Sequence, residues 1–228
     1  MITTKKSLLI TILTIVLINL SCLKIDKKYK IIFLGDSITY NGLTWQHGYI
    51  HKIDSLSKSE GHGDEYLLEG AGEIGNKVED LYARLNTDVI QYNPDAVVIY
   101  VGVNDVDSVN ADIKIESFKQ CYLEIIEKLQ KNNIKLIICT PTVIGELKNM
   151  SNPKDTLLNK YSSILIEISK KFALPLCDLR SNFLDYININ NLNNKAIGIL
   201  TNDGIHLNRL GNLVVAENMW KVIKLIKH

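Results

Sequence analysis

The sequence lacks the features that would place it in several large protein classes. Lys and Arg number 26 against 25 Asp and Glu, so the formal net charge is only +1. This balance excludes the strong basic excess that is typical of nucleic-acid-binding domains. We also find no internal repeat and no low-complexity linker. The 228 residues are therefore expected to form one domain with a substantial core, preceded by a targeting segment.

Cysteine is scarce, and its distribution suggests neither a disulfide framework nor a metal site. Of the four cysteines, three follow Cys22, which is an odd number. Cys139 and Cys177 lie in apolar, strand-like runs, and Cys121 lies in a helical stretch. We interpret all three as small buried hydrophobic residues. The histidines of the early segment also lack a ligand spacing, and we expect neither a metal nor a cofactor.

A single long apolar run, Ser7–Leu20, lies near the N-terminus and is short for a membrane span. Two lysines precede it and Ser21-Cys22 follows, which predicts a secretory signal. The pattern resembles a bacterial lipoprotein signal, in which Cys22 would be lipidated and anchored to the membrane, although Asn19 occupies a position where Leu is usual. An uncleaved anchor and an ordinary signal cut nearby are the alternatives.

This interpretation divides the chain into three parts. Residues 1–22 are the predicted signal, residues 23–29 a short charged linker, and residues 30–228 the folded domain. We expect the mature protein to be a monomer in the bacterial cell envelope, or to be secreted or periplasmic.

Strand-like and helical patterns alternate along the predicted domain. Predicted strands cover 30–34, 65–68, 95–101, 134–139 and 174–178, and predicted helices cover 49–59, 78–85, 115–132, 153–172 and 208–226. Residues 40–48 are expected to be a loop, and residues 188–202 to be irregular. The alternation predicts the α/β class, a three-layer α/β/α domain with five mostly parallel strands.

Ser37 stands where the first predicted strand ends. The apolar run Ile31–Gly35 changes abruptly to Asp36-Ser37, as in a strand that is buried on both faces and then enters a functional loop. Parallel sheets bind ligands at the carboxyl ends of their strands. Because a serine hydroxyl alone is a weak nucleophile, the chain must also supply a base and an anion site.

Three further blocks occupy comparable places. Gly70–Asn76 follows the second strand, Gly102–Asp105 follows the third, and Asp203–His206 precedes the last helix. Together with Gly35–Thr39, and in this order, they resemble the blocks of the SGNH or GDSL-type serine hydrolase family of esterases and lipases. The resemblance extends from Lys30 to the final helix. It implies a flavodoxin-like SGNH hydrolase fold and a carboxylic ester hydrolase without a cofactor.

The fourth block carries the candidate base. Imidazole titrates near neutral pH, so His206 can take a proton from Ser37 and return it. Asp203, three residues earlier, can hold one ring nitrogen and stabilise the imidazolium. The alternative is a solvated histidine at the start of a helix that Asp203 caps.

The family resemblance also implies an oxyanion hole. Its donors would be the backbone N–H groups of Ser37 and Gly75 and the side-chain amide of Asn104. The second block departs from the family in one position, because Gly70 stands where Asn is usual. The alternatives for the glycines are an ordinary turn or a phosphate cradle, but the Gly-Lys-Ser/Thr ending of such a cradle is missing.

The substrate is less well defined by the sequence. Tyr40, Trp45 and Tyr49 follow the nucleophile and either line an acyl or sugar pocket or pack in the core. Residues 187–200 form either a rim of the site or a surface loop. We expect a small acyl or O-acetyl ester, on a small molecule or a glycan. The alternatives are a lysophospholipase or thioesterase activity, and a non-catalytic glycan-binding module of the envelope.

Overall fold

The computed structural model describes residues 27–63, 65–107 and 109–227. The predicted signal at 1–22 and its Cys22 therefore lie outside the described residues, as does most of the linker. Within the described residues, every predicted strand and helix is present, and two further helices occur. In chain order they are β1 (Tyr29–Gly35), α1 (Ser37–Thr44), α2 (Tyr49–Ser59), β2 (Tyr66–Gly72), α3 (Val78–Asp88), a 3₁₀ turn (Ile90–Tyr92), β3 (Ala96–Tyr100), α4 (Ala111–Lys131), β4 (Lys135–Cys139), α5 (Asp155–Phe172), β5 (Leu176–Cys177), α6 (Leu179–Asn190) and α7 (Arg209–Ile226).

The strands form one five-stranded sheet in the order β2-β1-β3-β4-β5, and every neighbouring pair is parallel. Helices cover both faces, so the predicted three-layer α/β/α fold is confirmed. The register places Gly35 of β1 opposite Gly72 of β2 and Tyr100 of β3. The loops that leave these three strands therefore start side by side.

Alternate residues of β1 are buried in two separate cores, which explains why the sequence of this strand is continuously apolar. Ile31 and Phe33 pack in one cluster, whose helical members come from α1, α2, α6 and α7. Ile32 and Leu34 pack in the other, with residues of α3, α4 and α5. A strand that is buried on both faces is characteristic of a parallel sheet between two helical layers.

Several predicted boundaries were wrong; α4, for example, begins at Ala111 and not at residue 115. Residues 40–48 are not all loop, because α1 continues to Thr44 after the Asp36 side chain caps its start. The second strand is longer than predicted, because its glycine-rich end still pairs with β1 as far as Gly72. Residues 188–190 belong to α6, a helix that was not predicted although its three buried apolar side chains have helical i, i+4, i+8 spacing. Those side chains are Leu179, Phe183 and Ile187.

The described cysteines are unpaired thiols. Cys139 and Cys177 are buried opposite each other on β4 and β5, as the sequence predicts, and burial raises the pKa of the Cys139 thiol. Cys121 was predicted to be buried, but it is only partly buried. No helix within the described ranges has the length and apolar character needed to cross a membrane.

Arg180 and Asp155 form a buried ion pair that joins α6 to α5. Their side chains are 4% and 1% exposed, and Arg180 Nη2 lies 2.8 Å from Asp155 Oδ1. The same guanidinium donates to the carbonyl of Thr142, at 2.9 Å, and to Asn159 Oδ1, at 2.8 Å. The pair therefore also fixes the loop that follows β4.

We predict that Asp155→Ala lowers the free energy of unfolding by about 3–5 kcal/mol, because it leaves the Arg180 charge buried without its partner. Urea unfolding followed by circular dichroism would measure this loss. Asp54→Ala is the matched control, since Asp54 pairs with Lys58 at the surface and its loss should cost less than about 1 kcal/mol. Equal losses in the two variants would contradict the prediction.

Candidate active site

Ser37 is the first residue of α1 and follows β1 after a single intervening residue, Asp36. The Asp36 carboxylate accepts the N–H of Ile38 at 2.9 Å and so caps the helix. The first N–H groups of a helix have no partner within the helix and carry a partial positive charge. The Ser37 N–H therefore lies where a developing negative charge would be stabilised.

A hydrogen-bonded relay joins Ser37 to the loop before α7. Ser37 Oγ lies 3.0 Å from His206 Nε2, and His206 Nδ1 lies 2.7 Å from Asp203 Oδ2. With its proton on Nδ1, the neutral imidazole presents the Nε2 lone pair to the Ser37 hydroxyl. The structure thus brings together three residues that the sequence analysis selected from opposite ends of the chain.

The Asp203 carboxylate is held in its orientation by its own loop. Its Oδ1 accepts the backbone N–H groups of Ile205, at 3.0 Å, and His206, at 2.8 Å. Partial burial raises the pKa of Asp203, but the hydrogen bonds from the His206 side chain and from these two N–H groups outweigh it, and the pKa lies below its usual value. Asp203 is therefore ionised at neutral pH and can stabilise an imidazolium.

Glu146 secures the segment that leads to this loop, a role that the sequence analysis missed. Its fully buried carboxylate accepts the backbone N–H groups of Ile199, Leu200 and Thr201 at 2.6–2.8 Å. The backbone of Gly145 also donates to the Gly204 carbonyl at 2.8 Å. Residues 191–200 are therefore fastened to the loop after β4, and nothing in the isolated sequence signals this long-range contact.

The second and third blocks meet at a turn. Asn76 N–H donates to the Glu73 carbonyl, and Gly75 within this turn has a φ of +80°, a conformation that favours glycine. Asn104 Nδ2 donates to the Asn76 carbonyl at 3.0 Å. The two predicted oxyanion donors, Gly75 and Asn104, thus belong to the same hydrogen-bonded loop cluster.

Arg84 of α3 also contacts this cluster. Its guanidinium donates to Asn76 Oδ1 and to the carbonyl oxygens of Gly35 and Ala71, at 2.7–3.0 Å. This residue was not predicted from the sequence, because one arginine in an amphipathic helix is usually a surface charge.

Of the three aromatic candidates, the structure places one in the core and two at the surface. Tyr49 is fully buried and donates to Thr39 Oγ1 at 3.0 Å, so it packs in the core. Tyr40 and Trp45 are each 42% exposed. Trp45 lines a cavity of about 280 Å³ that also includes the His206 side chain. Its other lining residues are Asn41, Thr44, Asn202 and Leu207.

Two buried carboxyl groups beside the relay have raised pKa values. Desolvation raises the pKa of Asp36 to about 6, although the Ile38 N–H and the nearby His206 favour its charged form. Desolvation likewise raises the pKa of Asp105 to about 7, against the hydrogen bond from the Val78 N–H. Each group accepts a backbone N–H at the start of a helix, Ile38 of α1 and Val78 of α3. Within the described part of the chain, no group of three or more His, Cys, Asp or Glu residues could hold a metal ion.

A parallel α/β sheet with a serine–histidine–aspartate relay at its strand ends defines a class of hydrolytic enzymes that use an activated serine. Residues 33–214 match the GDSL-like lipase/acylhydrolase family, and the chain belongs to this family. It is therefore a carboxylic ester hydrolase.

Similar proteins include acetylxylan esterases. The chain is 45% identical to the crystallised acetyl xylan esterase AlAXEase, with a TM-score of 0.79; the match covers 85% of this chain and 99% of that one. It is 25% identical over 219 residues to an acetylxylan esterase from Geobacillus stearothermophilus, a match that covers 88% of this chain and 96% of the relative. It is also 25% identical over 213 residues to the uncharacterized lipoprotein YqeF of Bacillus subtilis strain 168, covering 83% and 87% of the two chains.

The raised pKa of Asp105 predicts a pH-dependent stability. Because the native pKa, about 7, lies above the unfolded value, the native state retains a proton that the unfolded state releases, and this stabilisation is lost as the pH rises through 7. The neighbouring charges are Asp36 and Glu79, which raise the pKa, and Lys77, which lowers it.

We therefore expect the wild type to lose more stability between about pH 5 and about pH 8 than Asp105→Asn does, because Asn keeps an acceptor for the Val78 N–H but does not titrate. Urea unfolding at both pH values would measure the difference. Identical pH dependences would show that Asp105 titrates normally.

Proposed function

We propose that the protein hydrolyses small acyl esters, and above all O-acetyl esters of carbohydrates, through an acyl-enzyme on Ser37. The observation that carries this proposal is the continuous relay of Ser37 Oγ, His206 and Asp203, with separations of 3.0 and 2.7 Å. Solved catalytic mutants of Axe2, an acetylxylan esterase from Geobacillus stearothermophilus, replace a serine, an aspartate and a histidine. They support the assignment of these three residue types.

In the proposed mechanism, Ser37 Oγ attacks the ester carbonyl carbon while His206 Nε2 accepts the hydroxyl proton. The tetrahedral intermediate collapses, the bond to the alcohol oxygen breaks, and His206 returns the proton to that oxygen. Water then attacks the acyl-enzyme, with His206 again as the base, which releases the carboxylic acid and restores Ser37. Asp203 stabilises the imidazolium in both halves of the reaction.

The charge on the former carbonyl oxygen requires hydrogen-bond donors that are already in place. We assign this role to the N–H groups of Ser37 and Gly75 and to Asn104 Nδ2. The positions of these groups support the assignment, because Ser37 lies at a helix N-terminus and Asn104 is tied to the turn that contains Gly75.

The position of His206 also suggests which part of the substrate the neighbouring cavity receives. The histidine must protonate the leaving oxygen, so the cavity that includes its ring would receive the alcohol part of the ester. The polar residues Asn41, Thr44 and Asn202 and the aromatic Trp45 line this cavity. Such a combination suits a sugar, which presents hydroxyl groups at its edge and an apolar face for an aromatic ring.

A lysophospholipid is the second candidate substrate, but the cavity favours a neutral alcohol. The alcohol that leaves a lysophospholipid carries a phosphate, and phosphates are usually bound by Arg or Lys. The residues that line the cavity include neither. The acetyl xylan esterases among the relatives also support the carbohydrate ester. A non-catalytic binding module would have no need for the complete relay.

We also propose that residues 1–22 direct export and that Cys22 anchors the mature domain, residues 30–228, to the cell envelope. The named lipoprotein among the relatives supports this location.

We predict that Ser37→Ala abolishes nearly all hydrolysis of an activated acetyl ester, because it removes the attacking oxygen. Wild type should react with a fluorophosphonate probe, and mass spectrometry should locate the label on Ser37. Circular dichroism would verify that Ser37→Ala remains folded. Turnover in this variant close to that of wild type would refute the acyl-enzyme on Ser37.

A second prediction concerns the proposed sugar pocket. Trp45→Ala should raise KM for an acetylated xylooligosaccharide by about tenfold, the effect of losing roughly 1.4 kcal/mol of ring contact. Hydrolysis of ethyl acetate should change little, because its alcohol is too small to reach the ring.

Tyr92→Ala serves as the control for this prediction, since Tyr92 is 52% exposed and does not line the cavity. It should leave both substrates unaffected. If Trp45→Ala weakens both substrates equally, Trp45 has no selective role in binding the sugar.

A further inference from the structure

Arg84 lies in α3 and makes four side-chain hydrogen bonds, two of them to the ends of β1 and β2 and one to Asn76 of the Gly75 turn. Nη2 donates to the Gly35 and Ala71 carbonyls at 2.8 and 3.0 Å, and Nε donates to Asn76 Oδ1 at 2.7 Å. The fourth bond joins Nη1 to Asp88 Oδ2 at 2.6 Å, within the same helix. The Arg84 side chain is only 15% exposed, so it is not an ordinary surface charge.

The first two bonds join the ends of β1 and β2. The Gly35 carbonyl immediately precedes Asp36, which caps the helix that carries Ser37. It also accepts the backbone N–H of Glu73, the residue that follows the end of β2. Arg84 therefore fixes the spacing between the strand that leads to the nucleophile and the strand that leads to the Gly75 turn.

The third bond, from Arg84 Nε to Asn76 Oδ1, connects Arg84 to the proposed oxyanion donors. Arg84 holds the side chain of Asn76, and the carbonyl of Asn76 accepts from Asn104 Nδ2 at 3.0 Å. Packing contributes little at this turn. Ile74 is 73% exposed, and no atom lies within 4 Å of a Cβ built on Gly75. The position of the turn depends on polar contacts, and Arg84 supplies one of them.

We propose that Arg84 is a positioning residue that holds the Gly75 turn and Asn104 in the geometry needed to stabilise the oxyanion. The inference rests on the proposed function of this site. Only arginine has a planar group with five donors, so it can bind the carbonyls of two strands and a side-chain amide at once. Lysine offers a single ammonium group and cannot reproduce that geometry.

Arg84→Ala and Arg84→Lys should lower kcat for an activated acetyl ester by about ten- to a hundredfold, with KM changed by less than about threefold. The reason is that displaced donors weaken binding of the transition state more than binding of the ester. Asp88→Ala is the matched control, since it removes the acceptor of the one Arg84 bond that stays within α3. It should retain most of the activity.

A double-mutant cycle with Asn104→Ala separates positioning from a general loss of structure. Asn104→Ala alone should cost about a hundredfold or more in kcat. If Arg84 acts through Asn104 and the Gly75 turn, adding Arg84→Lys to Asn104→Ala should cost much less than Arg84→Lys costs in wild type. If Arg84→Lys lowers kcat by the same factor in Asn104→Ala as in wild type, the proposal is overturned.

Chemical rescue provides a second test. Arg84 lines a cavity of about 560 Å³ beside β2, so a guanidinium ion has space to enter once the side chain is removed. Guanidinium chloride well below denaturing concentrations should restore part of kcat in Arg84→Ala, whereas sodium chloride at equal ionic strength should not. If neither salt restores activity and the cycle is additive, Arg84 is only structural. Failure of wild type to outperform Ser37→Ala would instead refute the proposed function.

Discussion

The position of β1 between β2 and β3 is the constraint on which the candidate site depends. It brings the loops that follow Gly35, Gly72 and Tyr100 to one edge of the sheet. The end of β2 packs so closely on α1 that Gly72 has no space for a side chain, because a Cβ there would lie 2.1 Å from the backbone nitrogen of Tyr40. Glycine at the end of β2 thus allows the second loop to approach the helix that carries Ser37.

The electrostatics of the site follow from this close packing. Asp36 follows the buried end of β1, where desolvation raises its pKa to about 6 although the nearby His206 favours the charged carboxylate. Asp203 contacts the imidazole directly and keeps a low pKa because it accepts several hydrogen bonds. The imidazolium would therefore be stabilised mainly by Asp203, and Asp36 would add a smaller attraction that depends on its protonation.

The sequence predicted the parts of the molecule that depend on local pattern. The apolar runs indicated the strands, and the blocks around Ser37, Asn104 and His206 indicated where chemistry would be placed. The sequence failed where structure depends on distant contacts. Glu146 and Arg84 were missed because they bind backbone that is distant in the chain, such as Leu200, 54 residues from Glu146, and Gly35, 49 residues from Arg84. A polar residue buried by tertiary contacts has no local signature. Helix α6 is a different case, because its buried apolar residues have helical spacing and it could have been predicted.

These distant contacts divide the site into two separately supported halves. Glu146, on the loop after β4, holds the segment before Asp203 and His206. Arg84, on α3, holds the turn that contains Gly75 and contacts Asn104 through Asn76. The acid–base side and the side that would bind the oxyanion are thus each tied by buried polar bonds to a different part of the scaffold. Ser37 belongs to both, because its hydroxyl faces His206 and its N–H starts a helix beside the Gly75 turn. Glu146 and Arg84 share no hydrogen-bond partner among the contacts described. Loss of Glu146 should therefore impair proton transfer first, and loss of Arg84 should impair stabilisation of the oxyanion first.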